Sequence, residues 1–282
     1  MSDINSSNLL KELKLGKETT YVSHYDPSQL EAVPRALTRE SLPKLEQEFT
    51  GYDLWTGYEI SWLDLNGKPI VKIGEFRFSA NSDNLVESKS FKLYLNSFNQ
   101  SQFSSVEEVV TKMTTDLAKT SGLAVEVKLF DLAEYTEFGL AKLVSTNLDK
   151  QAIKITEYDY NPDLLKLASE SQEVTESICS HLLKSNCLVT GQPDWGSLVI
   201  EYTGQKICHE GLLKYIISFR GHNEFHEHCV ERIYSDIQSK FNPKALLVYA
   251  RYTRRGGLDI NPLRASSPEL INQVNNLRLV RQ

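Results

Sequence analysis

No run of 18 or more apolar residues occurs in the 282-residue chain, so the sequence offers no candidate membrane-spanning helix. Its start does not read as a leader either: Met1 to Gly16 is polar, with only Leu9, Leu10, Leu13 and Leu15 recurring in it. A cytoplasmic location is expected, with no membrane partner. Glycine and proline are sparse, at 14 and 9, which excludes collagenous and low-complexity classes. Basic residues are outnumbered, 31 Lys and Arg against 37 Asp and Glu. The resulting formal charge of −6 supplies no field to gather nucleic acid, so no direct nucleic-acid partner is expected. The four cysteines, Cys179, Cys187, Cys208 and Cys229, stand at gaps of 8, 21 and 21 residues without a C-x-x-C pair, which argues against a zinc ribbon or a thioredoxin-like site. In a reducing compartment they are free thiols. What is present is globular in character, 40% hydrophobic and 24% charged, and long enough for two domains.

Residues 1–50 read as a flanking arm, mixed and Ser-rich and punctuated by Tyr25-Asp26-Pro27 and Val33-Pro34-Arg35. From Gly57 the pattern sharpens. Ile60 and Trp62 lead to Asn66-Gly67, and Val71, Ile73, Phe76 and Phe78 follow, a hairpin signal because both turn residues tolerate positive φ. A third strand is expected over Phe91–Phe98. A helix follows, opened by the capping box Ser105–Glu108, striped by Val106, Val109, Val110, Met113 and Leu117, and closed near Gly122. Leu123–Leu129 alternates as a strand. In the second half a helix is expected over Glu173–Leu183, a strand over Leu198–Tyr202, a turn at Thr203–Lys206, a strand over Leu212–Phe219, a helix carrying Phe225, Cys229, Ile233 and Ile237, and a closing strand over Ala245–Tyr252. Tyr94, Leu95, Ser97 and Phe98 align with Tyr215, Ile216, Ser218 and Phe219, which suggests two copies of one α+β unit. The domains are therefore set at 51–160 and 161–282, after the arm.

Four segments could carry chemistry. In Ser185–Gly196, the turn-formers Gly191, Pro193 and Gly196 would bring Asp194 back towards Cys187. A thiolate nucleophile beside an acid that moves its proton is one reading, and a packed thiol beside a simple turn is the other. In Phe219–His228, Asn223 is the expected N-cap, which sets His226 and Glu227 in the first helical turn at the positive end of the dipole. His222 and His226 have a spacing that zinc sites use, but His226-Glu227-His228 is not H-E-x-x-H, and no metal site is expected. Val86–Tyr94, with Ser88, Lys89 and Lys92, and Arg251–Gly257, with Arg254, Arg255, Gly256 and Gly257, could cradle phosphate or could be solvated faces. No G-x-G-x-x-G or P-loop is present, so a Rossmann domain and a nucleotide triphosphatase are not supported.

Glu87-Ser88-Lys89-Ser90-Phe91-Lys92-Leu93-Tyr94 resembles the signature of the NADPH-dependent 7-cyano-7-deazaguanine reductases, the nitrile reductases of queuosine biosynthesis. Asn186–Gly196 is similar to that family's catalytic segment, Phe225-His226-Glu227 to its substrate segment, and Arg254–Pro262 to its C-terminal cofactor segment. All four are collinear. The resemblance implies the long family form, two tandem tunnelling-fold domains with antiparallel sheets and helices on one face. It implies reduction of 7-cyano-7-deazaguanine to 7-aminomethyl-7-deazaguanine with two NADPH, without a metal. Cys187, Asp194 and His226 would be catalytic, through a covalent cysteine thioimide. Val86, Glu87, Ser88, Phe225, His226 and Glu227 would bind the deazapurine, and Ser88, Lys89, Arg255 and Gly256 the NADPH. A homodimer is implied as well. Two rivals remain: a cyclohydrolase-like hydrolase on the same fold, which would need zinc, and a non-catalytic purine-binding subunit of a tRNA-modification complex.

Overall fold

The structure, a computed structural model, describes residues 21–272, 274, 276 and 278–282. The leucine-bearing stretch at Leu9–Leu15 lies outside the described residues. The chain divides into two compact units. The first takes the residues up to Glu40, then Tyr52–Gly139 and Arg254–Ile260, and the second takes Ser41–Gly51, Leu140–Thr253 and Asn261–Gln282. Residues 21–40 of the expected arm thus belong to the first unit, where Tyr25 and Leu30 pack on its core.

In the first unit, β1 (Ala32–Pro34) and α1 (Arg35–Arg39) precede a long antiparallel hairpin of β2 (Thr50–Leu63) and β3 (Pro69–Ser79). The expected hairpin is present, but its loop spans Asp64–Lys68 and only Gly67 has a positive φ, 80°. The Asp64 carboxylate organises that loop by accepting from the Asn66 and Lys68 amides at 2.9 Å each. β4 (Asn84–Val86) pairs with β1, α2 (Ser88–Ser97) and α3 (Val106–Ser121) follow, and β5 (Glu126–Phe130) pairs with β3 before α4 (Leu132–Thr136). Trp55, Ile60, Trp62, Phe76 and Phe78 of the strands share one core with Phe91, Tyr94, Val109, Met113 and Leu117 of the helices. Burial of this apolar surface is the driving term, at roughly 25 cal/mol per Å².

In the second unit, β6 (Thr146–Asn147) runs parallel to β7 (Glu173–Asn186), and β7, β8 (Pro193–Gln205) and β9 (Ala245–Tyr252) pair antiparallel in that order. α5 (His209–Ser218) and α6 (His226–Phe241) lie between β8 and β9 in sequence. β10 (Leu258–Ala265) pairs with β9 through Leu263–Ala265, and α7 (Pro268–Ile271) follows. The class is α+β, built twice, as the tandem tunnelling-fold resemblance implies.

Five expectations are corrected. Phe91–Phe98 and Leu212–Phe219 are the bodies of helices α2 and α5, not strands. The inward residues Phe91, Tyr94, Leu95 and Phe98 recur at helical spacing, and a short apolar run does not separate helix from buried strand by alternation alone. Glu173–Leu183 is strand β7, because Val174, Thr175 and Ile178 are β-branched and every residue from Glu173 to Ser180 has a partner on β8. Thr203–Gln205 does not turn but extends β8. Asn223 does not cap α6: Phe225 holds that position, without a side-chain cap bond.

The internal repeat extends well beyond four residues. α2 and α5 are both 10 residues long, and α3 and α6 are both 16. Tyr25 and Tyr94 donate to Asp116 Oδ2 at 2.8 and 2.6 Å, and Tyr160 and Tyr215 donate to Asp236 Oδ2 at 2.8 and 2.5 Å. A cation sits 5.1 Å from the outer tyrosine in each unit, Lys112 over Tyr25 and Arg232 over Tyr160. Even the left-handed C-caps correspond, Gly122 after α3 and Asn242 after α6.

Candidate active site

In the second unit the antiparallel register ends at Asn186 opposite Pro193. Cys187 is therefore the first residue of the hairpin loop, held by its own amide donating to Gln192 O at 2.8 Å while its carbonyl accepts from Gly191 N at 3.0 Å. Gly191 supplies the positive φ, 65°, that closes the loop. The thiol is half-buried, unlike the buried Cys179 and Cys229. Asp194 stands on the returning strand opposite Ser185 and is 4% exposed. The expected approach of Asp194 to the cysteine loop thus arises from a β-hairpin rather than from a helix-to-strand connection.

A short ladder joins this hairpin to the start of α6. The Asn186 amide donates to His222 O at 2.8 Å, and the Glu224 amide donates to Asn186 O at 3.0 Å. The next residues are Phe225 at the N-cap, His226 and Glu227. His226 Nε2 lies 3.5 Å from Asp194 Oδ1, and its ring stands edge-on to Tyr252 with centroids 4.1 Å apart. Glu227 is buried in the first turn of α6, where the helix dipole favours a carboxylate. Cys187, Asp194, Phe225, His226 and Glu227 are thus carried by two linked segments of one unit. His222 points elsewhere, with Nε2 3.0 Å from Glu224 Oε1, so His222 and His226 face different carboxylates and share no metal position. Among the described residues, no group of three or more His, Cys, Asp or Glu side chains is arranged to hold a metal ion.

Glu224 belongs to none of the collinear motifs legible in the sequence. It is buried, and its Oε1 faces His222, His228 Nδ1 at 3.1 Å and Arg232 Nε at 2.7 Å. Burial acts to raise its carboxyl, but His228, His222 and Arg232 outweigh burial and hold it down to about 2. Burial in turn lowers the His228 imidazole from its ordinary value. The i, i+4, i+8 spacing of Glu224, His228 and Arg232 was the available signal.

In the first unit, Val86 ends β4 and Glu87 caps α2, accepting from the Lys89 and Ser90 amides at 2.7 and 2.6 Å. The Glu87 side chain is buried, and burial pushes its carboxyl above its ordinary range against those two amides, with Glu31 adding to the rise. Two amides occupy part of the carboxylate's capacity, which is about four lone-pair sites, so further donors can still be accepted. Ser88 and Lys89 form the first turn of α2. Arg255, Gly256, Gly257 and Leu258 form a tight turn with reciprocal Arg255–Leu258 backbone bonds of 2.9 and 3.3 Å, both glycines at positive φ. A Cβ on Gly256 would come 3.4 Å from Lys92 Nζ, so the signature helix and the arginine–glycine turn meet. Arg254 lies 4.7 Å from the Tyr58 ring. Lys92, Arg254 and Arg255 lie in or beside this turn, a basic, backbone-lined setting suited to phosphate, whereas the Lys89 ammonium stands 3.4 Å from Tyr21 Oη.

Residues 21–129 match a family model described as nitrile reductase, 7-cyano-7-deazaguanine-reductase N-term, and residues 193–269 match one described as QueF-like protein. A solved structure described as the archaeosine synthase QueF-Like in the apo form is similar at 16% identity over 35% of this chain and 94% of that chain, with a TM-score of 0.28.

Proposed function

Because the chain belongs to the 7-cyano-7-deazaguanine reductase family, a family of nitrile-reducing oxidoreductases of the queuosine pathway, we propose that it reduces the nitrile of 7-cyano-7-deazaguanine to the primary amine with NADPH, through a thioimide on Cys187. The observation that carries this reading is the ladder between Asn186 and the residues before α6. It gives a half-buried thiol, a buried acid and an imidazole a common rigid support within one unit.

The chemistry assigns each group a task. Cys187 thiolate adds to the nitrile carbon, and Asp194 delivers a proton to the nitrogen as negative charge develops there, giving a thioimide. NADPH, when bound, supplies each of the two hydrides. After the first reduction the C–S bond breaks, Cys187 leaves as thiolate and an imine remains; His226, paired with Asp194, holds that nitrogen and hands on the proton that its reduction requires. The Phe225 ring stacks on the deazapurine, and the Glu87 and Glu227 carboxylates accept from its ring N–H groups, beside Val86 and Ser88. Ser88, Lys89, Arg255 and Gly256 hold the cofactor phosphates, a reading supported by the Lys92 ammonium beside the Gly256 turn. A homodimer and a deazapurine small-molecule partner belong to the same reading.

The test is to mix the protein with 7-cyano-7-deazaguanine, follow NADPH absorbance and analyse the Cys187 peptide by mass spectrometry. Two NADPH consumed per nitrile, and an adduct on Cys187 when NADPH is omitted, are expected. Binding without adduct or oxidation would leave a purine-binding subunit, and turnover that requires added zinc would favour the hydrolase.

A further inference from the structure

The two units solve one structural problem differently. In the first, the connection from α2 to α3 ties itself to the hairpin through Phe103, whose amide donates to Leu63 O at 3.0 Å. It ties itself to the helix through the next residue, Ser104, whose amide and hydroxyl donate to Glu108 Oε2 at 2.9 and 2.7 Å, while Ser105 Oγ caps α3. Corresponding positions in the second unit are one residue closer together: Phe98 and Phe219 match at the end of α2 and α5, but α3 starts at Val106 and α6 at His226. With one residue fewer, Glu224 makes both ties. Its amide holds Asn186, the neighbour of Cys187, and its carboxylate holds His228 one turn into α6 and Arg232 one turn further. The Ser104–Glu108–Lys112 column of α3 reappears on α6 as Glu224–His228–Arg232, with the acidic partner moved ahead of the helix.

There is a reason for the exchange. A helix start is ordinarily secured by Ser, Thr, Asn or Asp at the N-cap. Here Phe225 occupies that position and no side chain caps α6. A phenyl ring offers no oxygen to the first helical amides, so anchorage has to come from elsewhere.

We infer that Glu224 is the positioning residue of this site: it fixes His226 and Glu227 relative to Cys187 by clamping the start of α6 to the cysteine hairpin. It touches neither substrate nor cofactor, and acts through the residues on either side of it. The inference rests on the proposed function only where the Cys187 adduct is used as a readout.

Two measurements test it on the full chain. Hydrogen exchange is compared between wild type and Glu224→Gln at the amides of residues 186–188 and 226–229. Adduct formation at Cys187 with 7-cyano-7-deazaguanine is timed in both, and again with each placed in a His226→Ala background. Expected are faster exchange confined to those two segments and adduct formation slowed roughly tenfold or more, as small misplacements of reacting groups cost. The slowing should shrink when His226 is already absent, since residues acting through one another are not additive. Wild-type exchange in both segments, or a Glu224→Gln cost equal in both backgrounds, would overturn the assignment. Should Glu224→Gln fail to fold, Glu224→Asp decides by the same criteria, because it keeps the charge and shortens the reach. If wild type forms no adduct at all, it is the proposed function that fails, and the exchange comparison alone decides the role of Glu224.

Discussion

Four thiols in one chain offer four possible nucleophiles, and burial removes two of them. Cys229 lies wholly inside α6, where burial pushes its thiol up to about 12, and burial also raises the Cys179 thiol. A thiol so raised is almost all protonated at neutral pH, and only a thiolate attacks a nitrile. Cys187 and Cys208 are the half-buried pair, but Cys208 is the N-cap residue of α5, whereas Cys187 opens a loop beside Asp194. Cys187→Ala is therefore expected to fold and bind the deazapurine by calorimetry while forming no adduct by mass spectrometry; an adduct retained in that variant would move the nucleophile elsewhere. Asp194→Asn should keep the fold and slow adduct formation by about 10²–10⁴, the usual worth of a positioned acid, which stopped-flow absorbance reads directly. Glu227→Gln replaces a charge-assisted acceptor with a neutral one and should weaken deazapurine binding by about 1.5–3 kcal/mol. Unchanged affinity would take Glu227 out of the pocket.

The elements that carry these residues were only partly legible in the sequence. The Asn66-Gly67 hairpin, the Ser105 cap with its stripe through Leu117, and the strand Ala245–Tyr252 are readable because each has a local cause, a turn residue, a cap, or a β-rich run, although Ala245–Tyr252 is not the closing strand, since Leu258–Ala265 follows it. α2, α5 and β7 were misread because their apolar residues are decided by the core they meet rather than by a clear period. The candidate site residues were legible as motifs, but their mutual support was not: the Asn186–Glu224 ladder joins residues 38 apart in sequence, and no local pattern announces it. Glu224 also sets a pH signature. Its carboxyl titrates at about 2 in the folded chain against an ordinary 4.5, so it contributes stability that is fully present above 4.5 and lost as pH falls towards 2. Urea unfolding between pH 6 and 2 should accordingly show wild type losing its advantage over Glu224→Gln across that window, with the two curves converging at its acid end. A gap that stayed constant with pH would mean the carboxylate is not held ionised by His222, His228 and Arg232. In the Arg255–Leu258 turn, Gly257 has φ 72° and a Cβ there would come 2.7 Å from the Glu59 carboxylate. Gly257→Ala should cost about 1–2 kcal/mol from the left-handed conformation, measured by the same unfolding.

Across the whole molecule, one architecture is used twice and its chemistry once. Each unit closes its hairpin with a corresponding pair of bonds, the second loop being one residue longer: Asp64 N donates to Lys68 O at 2.9 Å as Cys187 N does to Gln192 O at 2.8 Å, and Gly67 N returns to Asp64 O as Gly191 N does to Cys187 O. Both return strands begin with proline, Pro69 and Pro193. Asp64 therefore occupies in the first unit the position that Cys187 occupies in the second. Its carboxylate is spent on its own loop amides, and it cannot add to a nitrile. At the first helix the roles are reversed: Glu87 caps α2, and Cys208 stands at the corresponding cap of α5 without a side-chain bond. On the proposed function, each unit thus carries a different part of the machinery on the same scaffold, with Cys187 in one and the Glu87 carboxylate in the other. Intact-mass spectrometry after saturation with 7-cyano-7-deazaguanine in the absence of NADPH should accordingly show one adduct per chain and never two, and the single modified peptide should contain Cys187. A second adduct, on Cys208, would show that the duplicated scaffold supports two reactive thiols, and would require the division of labour between the units to be redrawn.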